Sequence, residues 1–323
     1  MMARSRDWCI GCCPDACHAC CLAEACCLAE ACGLTVSASG DDHSYTNDPD
    51  ESMGRYLRPA TLEGALEALA AGCWTVLAGA TDFYPSGGAA RDADVLDITG
   101  IAGLREIVWR GDHWFVPCGT TWSDVMVAPL PPLFDGLKQA AAQVGGVQVQ
   151  NAGTVVGNLC NASPAADGIP CLLAMGAQVE LASLAGVRVV DVGGFLLGPR
   201  RTGRRRDELV TGLRMRAVDA SRTAFLKLGA RRYLVISIAM VAVALEVAGG
   251  VVTAARVAVG ACGPMATRLP GLEAAMLGRS VDPRVVEAVH LTGLAPIDDI
   301  RADAGYRRVA ALELVRRAIG AVA

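Results

Sequence analysis

The sequence predicts an α+β protein of two domains behind an irregular N-terminal stretch. Strand-like segments come in hairpin pairs, helical stretches follow the last pair, and a break in the pattern falls near Ala217–Ala220. With 323 residues, 53% of them hydrophobic, the chain can build two real cores. A net charge of −4 gives no support for nucleic-acid binding. The longest apolar run, Leu234–Ala248, contains Ser237 and Glu246 and is too short to cross a bilayer. No charged-apolar-small signal opens the chain, so a cytoplasmic protein without a membrane span is expected.

Residues 1–52 stand apart. Nine of the 14 cysteines lie within Cys9–Cys32, CCLAEACCLAEAC at 20–32 is a near duplication, and Asp41–Glu51 reads as an acidic linker. Cys12, Cys17 and Cys20 match a plant-type ferredoxin spacing, and Cys9/Cys12 with Cys17/Cys20 match paired zinc ligands. The segment is too short and repetitive to supply the strands such sites need. The preferred reading is a dispensable extension ahead of a true start at Met53, with no metal site.

From Arg58 the pattern is regular, and the two domains are placed at 53–217 and 218–323. Thr61 starts a helix whose apolar positions are Leu62, Ala65, Leu66 and Leu69, and Gly72 stops it. Trp74–Leu77 and Asp94–Ile98 read as strands. Leu104–Trp109 with His113–Cys118, and Val179–Ala182 with Val187–Asp191, read as hairpins. Leu137, Ala140, Ala141 and Val144 mark a second helix. Leu209–Met215 closes the first domain as a strand. The second domain reads as strands Thr223–Leu228, Val235–Glu246 and Val251–Gly260, then helices at Leu272–Leu277, Val285–Leu291 and Val309–Ile319. The five scattered cysteines read as core or loop residues. RRTGRRRDE at 200–208 is either a solvated basic loop or a contact for an anionic partner or phosphate.

Two polar, glycine-bearing turns carry the chemistry. AGATDFYP at 78–85 follows directly on a strand. QVQNAGTVVGNLCNASPAADGIP at 148–170 is long for a connection, and long structureless connections are usually functional. Gly153 and Gly157 permit positive φ and close approach of main chain to a ligand, and successive amides in such turns bind anions. The helix beginning near Ile169 would present its positive end to a phosphate. Neither turn is a Rossmann G-x-G-x-x-G or a Walker motif. His18, His43, His113 and His290 are lone residues, and no protein acid, base or nucleophile stands out.

LAGATDFYP at 77–85, QNAGTVVGNLCNASPAADG at 150–168 and FLKLGARR at 225–232 together resemble the FAD-binding (medium) subunit of the molybdenum hydroxylases, the xanthine and carbon monoxide dehydrogenase family. The similarity runs from about Tyr56 to Arg317. It implies a PCMH-type FAD-binding domain of two subdomains, of the vanillyl-alcohol-oxidase-like type, followed by a smaller α+β domain. It implies FAD held by Val76, Leu77, Ala78, Gly79, Ala80, Thr81, Asp82 and Phe83 in the first turn, and by Thr154, Gly157, Asn158, Cys160, Asn161 and Asp167 in the second. Val210 would lie over the flavin ring and Lys227 near its N1–C2 edge. Asp167 would bond a ribitol or ribose hydroxyl. The implied partners are a molybdopterin-binding large subunit and a two-iron two-sulfur small subunit, with NAD as a possible acceptor. Two positions depart from the family's Gly-Gly pairs, Ala80 and Val156. If either needs positive φ, strain of order 1 kcal/mol follows. A free-standing FAD oxidase and a scaffold that has lost flavin are the alternatives.

Overall fold

Strand pairing and helix capping build the fold in chain order. The computed structural model describes residues 54–86, 92–216 and 221–323. The Cys-rich segment, Met53 and the boundary near Ala217–Ala220 lie outside the described residues. Strand β1 (Tyr56–Leu57), helix α1 (Leu62–Ala71), β2 (Thr75–Leu77) and β3 (Val95–Asp97) come first, and the three strands form a parallel sheet in the order β1-β3-β2. Thr61 caps α1 by accepting from the Gly64 amide at 3.1 Å.

Then follow β4 (Val108–Trp109), β5 (His113–Pro117), α2 (Trp122–Val127), α3 (Asp135–Ala141), α4 (Val147–Ala152), α5 (Val155–Asn161) and α6 (Gly168–Met175). Next are β6 (Gln178–Ser183), β7 (Gly186–Asp191), α7 (Val192–Phe195), β8 (Leu196–Gly198), β9 (Arg201–Thr202) and β10 (Leu209–Arg216). An antiparallel sheet of order β4-β5-β10-β6-β7 joins both expected hairpins through β10. The long second turn is not a structureless loop. Thr154 caps α5, so most of 148–170 is three short helices with brief joints.

The last part comprises β11 (Ser221–Leu228), β12 (Ala239–Ala248), β13 (Val251–Gly260), β14 (Thr267–Arg268), α8 (Pro270–Met276) and α9 (Ala304–Ala321), with an antiparallel sheet β11-β12-β13-β14. Gly249 and Gly250 adopt φ of +59° and +82°, the conformation a two-residue hairpin turn demands. The expected helix over Val285–Leu291 is instead two 3-10 turns, Pro283–Val285 and Ala288–Leu291. Asp282 and His290 bond nearby main chain there and close each turn locally, competing with a continuous helix.

Strand β12 is buried on both faces. Met240, Ala242 and Ala244 enter a core shared with α3, α5 and α6, while Ala239, Val241, Val243 and Leu245 enter a second core with α8 and α9. This accounts for its unbroken apolar run. The same period of two puts Thr223, Phe225 and Lys227 of β11 toward the first core, where Thr223 bonds the Gly136 amide at 2.9 Å and the Phe225 amide bonds Gln139 at 2.7 Å.

Candidate functional site

The first turn begins where β2 ends. Val76 and Leu77 pair with Leu96 and Asp97, after which the chain reverses. Ala80 takes a left-handed φ of +57°, and its carbonyl receives the Phe83 and Tyr84 amides at 3.2 and 3.5 Å. Among the described residues, the amides of Gly79, Ala80, Thr81 and Asp82 meet no acceptor from the chain. A run of amides about a left-handed residue is a concave anion cradle. Asp82 lies exposed at its rim.

The second turn is fastened to the first. A β-carbon on Gly79 would run into the Ala152 carbonyl and come within 2.8 Å of Gly153 Cα, so only glycine lets the two turns meet. One on Gly153 would come within 3.4 Å of Thr81 Oγ1. Gly153 has φ −65° and Gly157 lies within α5, so neither uses positive φ, and chain atoms fill the space beside both. The Thr154 hydroxyl accepts from the Gly157 amide at 2.9 Å, the Val155 amide donates to Thr120 O and the Asn158 amide to Thr154 O. Three amides of this turn, those of Val155, Gly157 and Asn158, are thus already engaged within the chain.

Val156 is helical and buried, whereas Ala80 does occupy a glycine-favouring conformation. Only the first departure from Gly-Gly carries strain, about 1 kcal/mol. The amino end of α6 is sealed. All eight of its residues are buried, the Gly168 amide donates to Asn158 Oδ1 at 3.2 Å, and Trp122 packs where a Gly168 β-carbon would go. The expectation of a phosphate at that helix end is therefore corrected, because no open amide remains there.

Asp167 and Lys227 face each other. Lys227 Nζ donates to Asp167 Oδ2 at 2.6 Å and to the Gln143 carbonyl at 3.3 Å, and Ser237 donates to Asp167 Oδ1 at 2.6 Å. Burial pushes the Asp167 carboxyl up, against the pull of Lys227 and Ser237. Lys227 lines a cavity of about 310 Å3 with Gln143, Gly145, Arg231, Tyr233 and Leu234. A cavity of about 410 Å3 near Arg279, Asp282 and His290 contains none of these residues. Arg231 folds the mouth of the smaller cavity by bonding the Tyr233 and Leu234 carbonyls.

The remaining candidates lie deeper or to one side. Asn161 accepts from Arg200. Burial raises the Cys160 thiol to about 11, opposed by Arg204. Val210 sits in the core at a bulge of β10. Arg204 and Arg205 are tied back to Glu208 at 2.7 Å each, one to its carbonyl and one through its main-chain amide to the carboxylate. Among the described residues the His113 side chain bonds only Asp112, and no cluster of ligands fit for a metal occurs. Ser237 and Trp122 escaped the sequence reading. A serine inside the apolar run Leu234–Ala248 was a signal, since a buried hydroxyl needs a partner.

Residues 51–215 match the family described as FAD binding domain in molybdopterin dehydrogenase, and residues 224–322 match the carbon monoxide dehydrogenase flavoprotein C-terminal domain. The nicotine 6-hydroxylase medium subunit of Paenarthrobacter nicotinovorans is 29% identical over 276 residues, covering 82% of this chain and 95% of that one. The carbon monoxide dehydrogenase medium chain of Hydrogenophaga pseudoflava is 29% identical over 240 residues, covering 72% and 82%. A solved carbon monoxide dehydrogenase from the same organism superposes with a TM-score of 0.78 at 28% identity, over 83% of this chain and 96% of that one. No helix among the described residues is long and apolar enough to cross a membrane. An open amide cradle fastened to a second polar turn, in a chain matched along most of its length, leads to one assignment: the chain belongs to the molybdenum hydroxylase family as its FAD-binding medium subunit, an oxidoreductase component whose cofactor is FAD.

Proposed function

We propose that this chain is the electron relay of a multi-subunit molybdenum hydroxylase. It would receive electrons from two-iron two-sulfur clusters of a small subunit, served by a molybdopterin-bearing large subunit, and deliver them to NAD or another acceptor. The names of the relatives support the assembly. The two-domain division at 53–217 and 218–323 and a cytoplasmic location belong to the same proposal. The observation that carries it is the locking of Gly79 against Ala152 and Gly153, which makes one surface from two turns 70 residues apart in the chain.

The residues present fit the cofactor. The amides of Gly79–Asp82, which meet no acceptor among the described residues, suit a pyrophosphate, and the left-handed turn survives with Ala at position 80. Thr81 Oγ1 and the Asn158 side-chain NH2 would add hydrogen bonds, the Asn158 oxygen being held by Gly168. Cys160 and Asn161 would border the ring, Lys227 would stand near its N1–C2 edge, and Asp167, whose two oxygens already accept from Lys227 and Ser237, would keep a remaining lone pair for a ribitol or ribose hydroxyl. FAD, when bound, supplies the redox chemistry. The chain's part is to hold it, set its electrostatics and exclude side reactions. The relatives act on nicotine and carbon monoxide by name, so the hydroxylated substrate belongs to the large subunit's pocket.

The test is the visible spectrum of the full chain, purified alone and with its large and iron–sulfur partners. Flavin bands, released as FAD on denaturation, with flavin reduction by substrate in the complex, support the relay. Flavin reduction by NADH would add the acceptor. Colourless protein in the assembled complex overturns it in favour of a scaffold.

A further inference from the structure

A buried ion pair contributes little to holding two domains together, because desolvation offsets most of its attraction. The Asp167 and Lys227 side chains are nevertheless only 9% and 6% exposed, and they join the segment before α6 to β11. Lys227 spends two of its three N–H donors on Asp167 and the Gln143 carbonyl, and its side chain lines the 310 Å3 cavity. The third donor has no acceptor within the described chain.

The partner of the ammonium is itself locked in place. Both Asp167 oxygens accept hydrogen bonds, from Lys227 and from Ser237, the arrangement of an ionised carboxylate. The Ser237 carbonyl accepts from Arg301 at 3.0 Å, and the next carbonyl, Ile238, accepts from the fully buried Arg307 at 2.6 Å. Arg301 and Arg307 share Asp299. Two side chains of the C-terminal part, Lys227 and Ser237, thus meet on one carboxylate, and Arg301 and Arg307 hold the main chain at Ser237 and Ile238.

From this geometry we infer that Asp167 is a positioning residue for Lys227, holding the ammonium at the cavity wall and setting the net charge it presents to the flavin. The inference rests on the relay reading. A carboxylate beside the ammonium lowers the local positive potential, so its removal favours the more negative, reduced form of the cofactor. A carboxylate that only ties α6 to β11 would affect unfolding and leave the redox equilibrium untouched.

The experiment is equilibrium redox titration of the FAD-loaded full chain against a reference dye, read at the flavin absorbance. Asp167→Asn is expected to raise the ratio of reduced to oxidised flavin at fixed potential at least tenfold, about 30 mV for a two-electron couple. Lys227→Met is expected to lower it by a similar factor. Unchanged ratios in Asp167→Asn overturn the inference, whatever its melting temperature. Should Asp167→Asn not fold, Asp167→Glu, which keeps the charge but displaces the ammonium from its place beside Oδ2, is titrated in its stead. A ratio shifted from that of the wild-type chain supports the inference and an unchanged one overturns it. Failure of the inference alone leaves flavin bound with unshifted potentials. A wild-type chain and complex devoid of flavin overturns the relay reading and the inference with it.

Discussion

Glycine at the two positions where the chain departs from Gly-Gly should have very unequal consequences. Ala80 is in the left-handed region at φ +57°, so Ala80→Gly relieves about 1 kcal/mol of strain. It adds roughly 0.5–1 kcal/mol of backbone entropy to the unfolded chain, leaving stability nearly unchanged. Val156 is helical and 3% exposed, packed in the core shared with α6. Val156→Gly deletes three buried carbons at about 0.8 kcal/mol each, roughly 2.4 kcal/mol. Glycine's lower helix propensity relative to valine adds a few tenths, for a loss near 3 kcal/mol. Urea unfolding followed by circular dichroism measures both variants on one scale. A loss within about 1 kcal/mol for Val156→Gly would show that residue 156 is not a packed helical position. A loss above about 2 kcal/mol for Ala80→Gly would show that residue 80 does not adopt the left-handed turn.

Other expectations follow from the same geometry. Gly79→Ala places a methyl group inside the Ala152 carbonyl, so the turns must part; the expected result is loss of at least tenfold in FAD affinity by fluorescence titration, and wild-type affinity would refute the contact. Carboxyls of Asp97, Asp124 and Glu208 are held below their ordinary values, with burial opposing and hydrogen bonds from Tyr56, Arg105 and Arg188 prevailing. Arg301 holds Asp299 low as well. A lowered carboxyl stabilises the fold above its unfolded value, and that stability is lost as pH falls through the folded value. Melting temperature should therefore be flat near neutrality and drop below about pH 4. Asp167, raised by burial, contributes with the opposite sign. Burial lifts the Cys118 thiol to about 12 and the Cys262 thiol to about 11, while Cys73 is exposed. Alkylation of the native full chain at pH 8, mapped by peptide mass spectrometry, should label Cys73 and spare Cys118, Cys171 and Cys262.

Local rules made much of this fold readable. Thr61 as a cap, the paired glycines after β12 and the pairing of β6 with β7 around Gly186 each follow from nearest neighbours, and each stands in the structure. The helix over 285–291 failed because side chains at Asp282 and His290 bond main chain within one turn, which hydrophobic spacing does not reveal. The second turn failed as a loop because its many small polar residues include a cap, Thr154, whose effect outweighs the glycine at 157. Gly79 has a structural part of its own in the fold. Its missing side chain makes room for the other turn, a contact no local pattern encodes.

The same distinction explains why the resemblance implies roles for Asp167 and Lys227 without revealing that they meet. They are 60 positions apart, and their encounter depends on β11 turning its Thr223–Phe225–Lys227 face toward α3 and on the segment before α6 being pinned through Asn158. Because β12 is buried on both faces, the sheet that carries Lys227 cannot shift without opening two cores at once. The charge at the cavity wall is therefore set by tertiary packing, while the amide cradle is set by one left-handed residue. Cofactor affinity should thus respond chiefly to changes in the first turn, and the flavin potential to changes around Asp167.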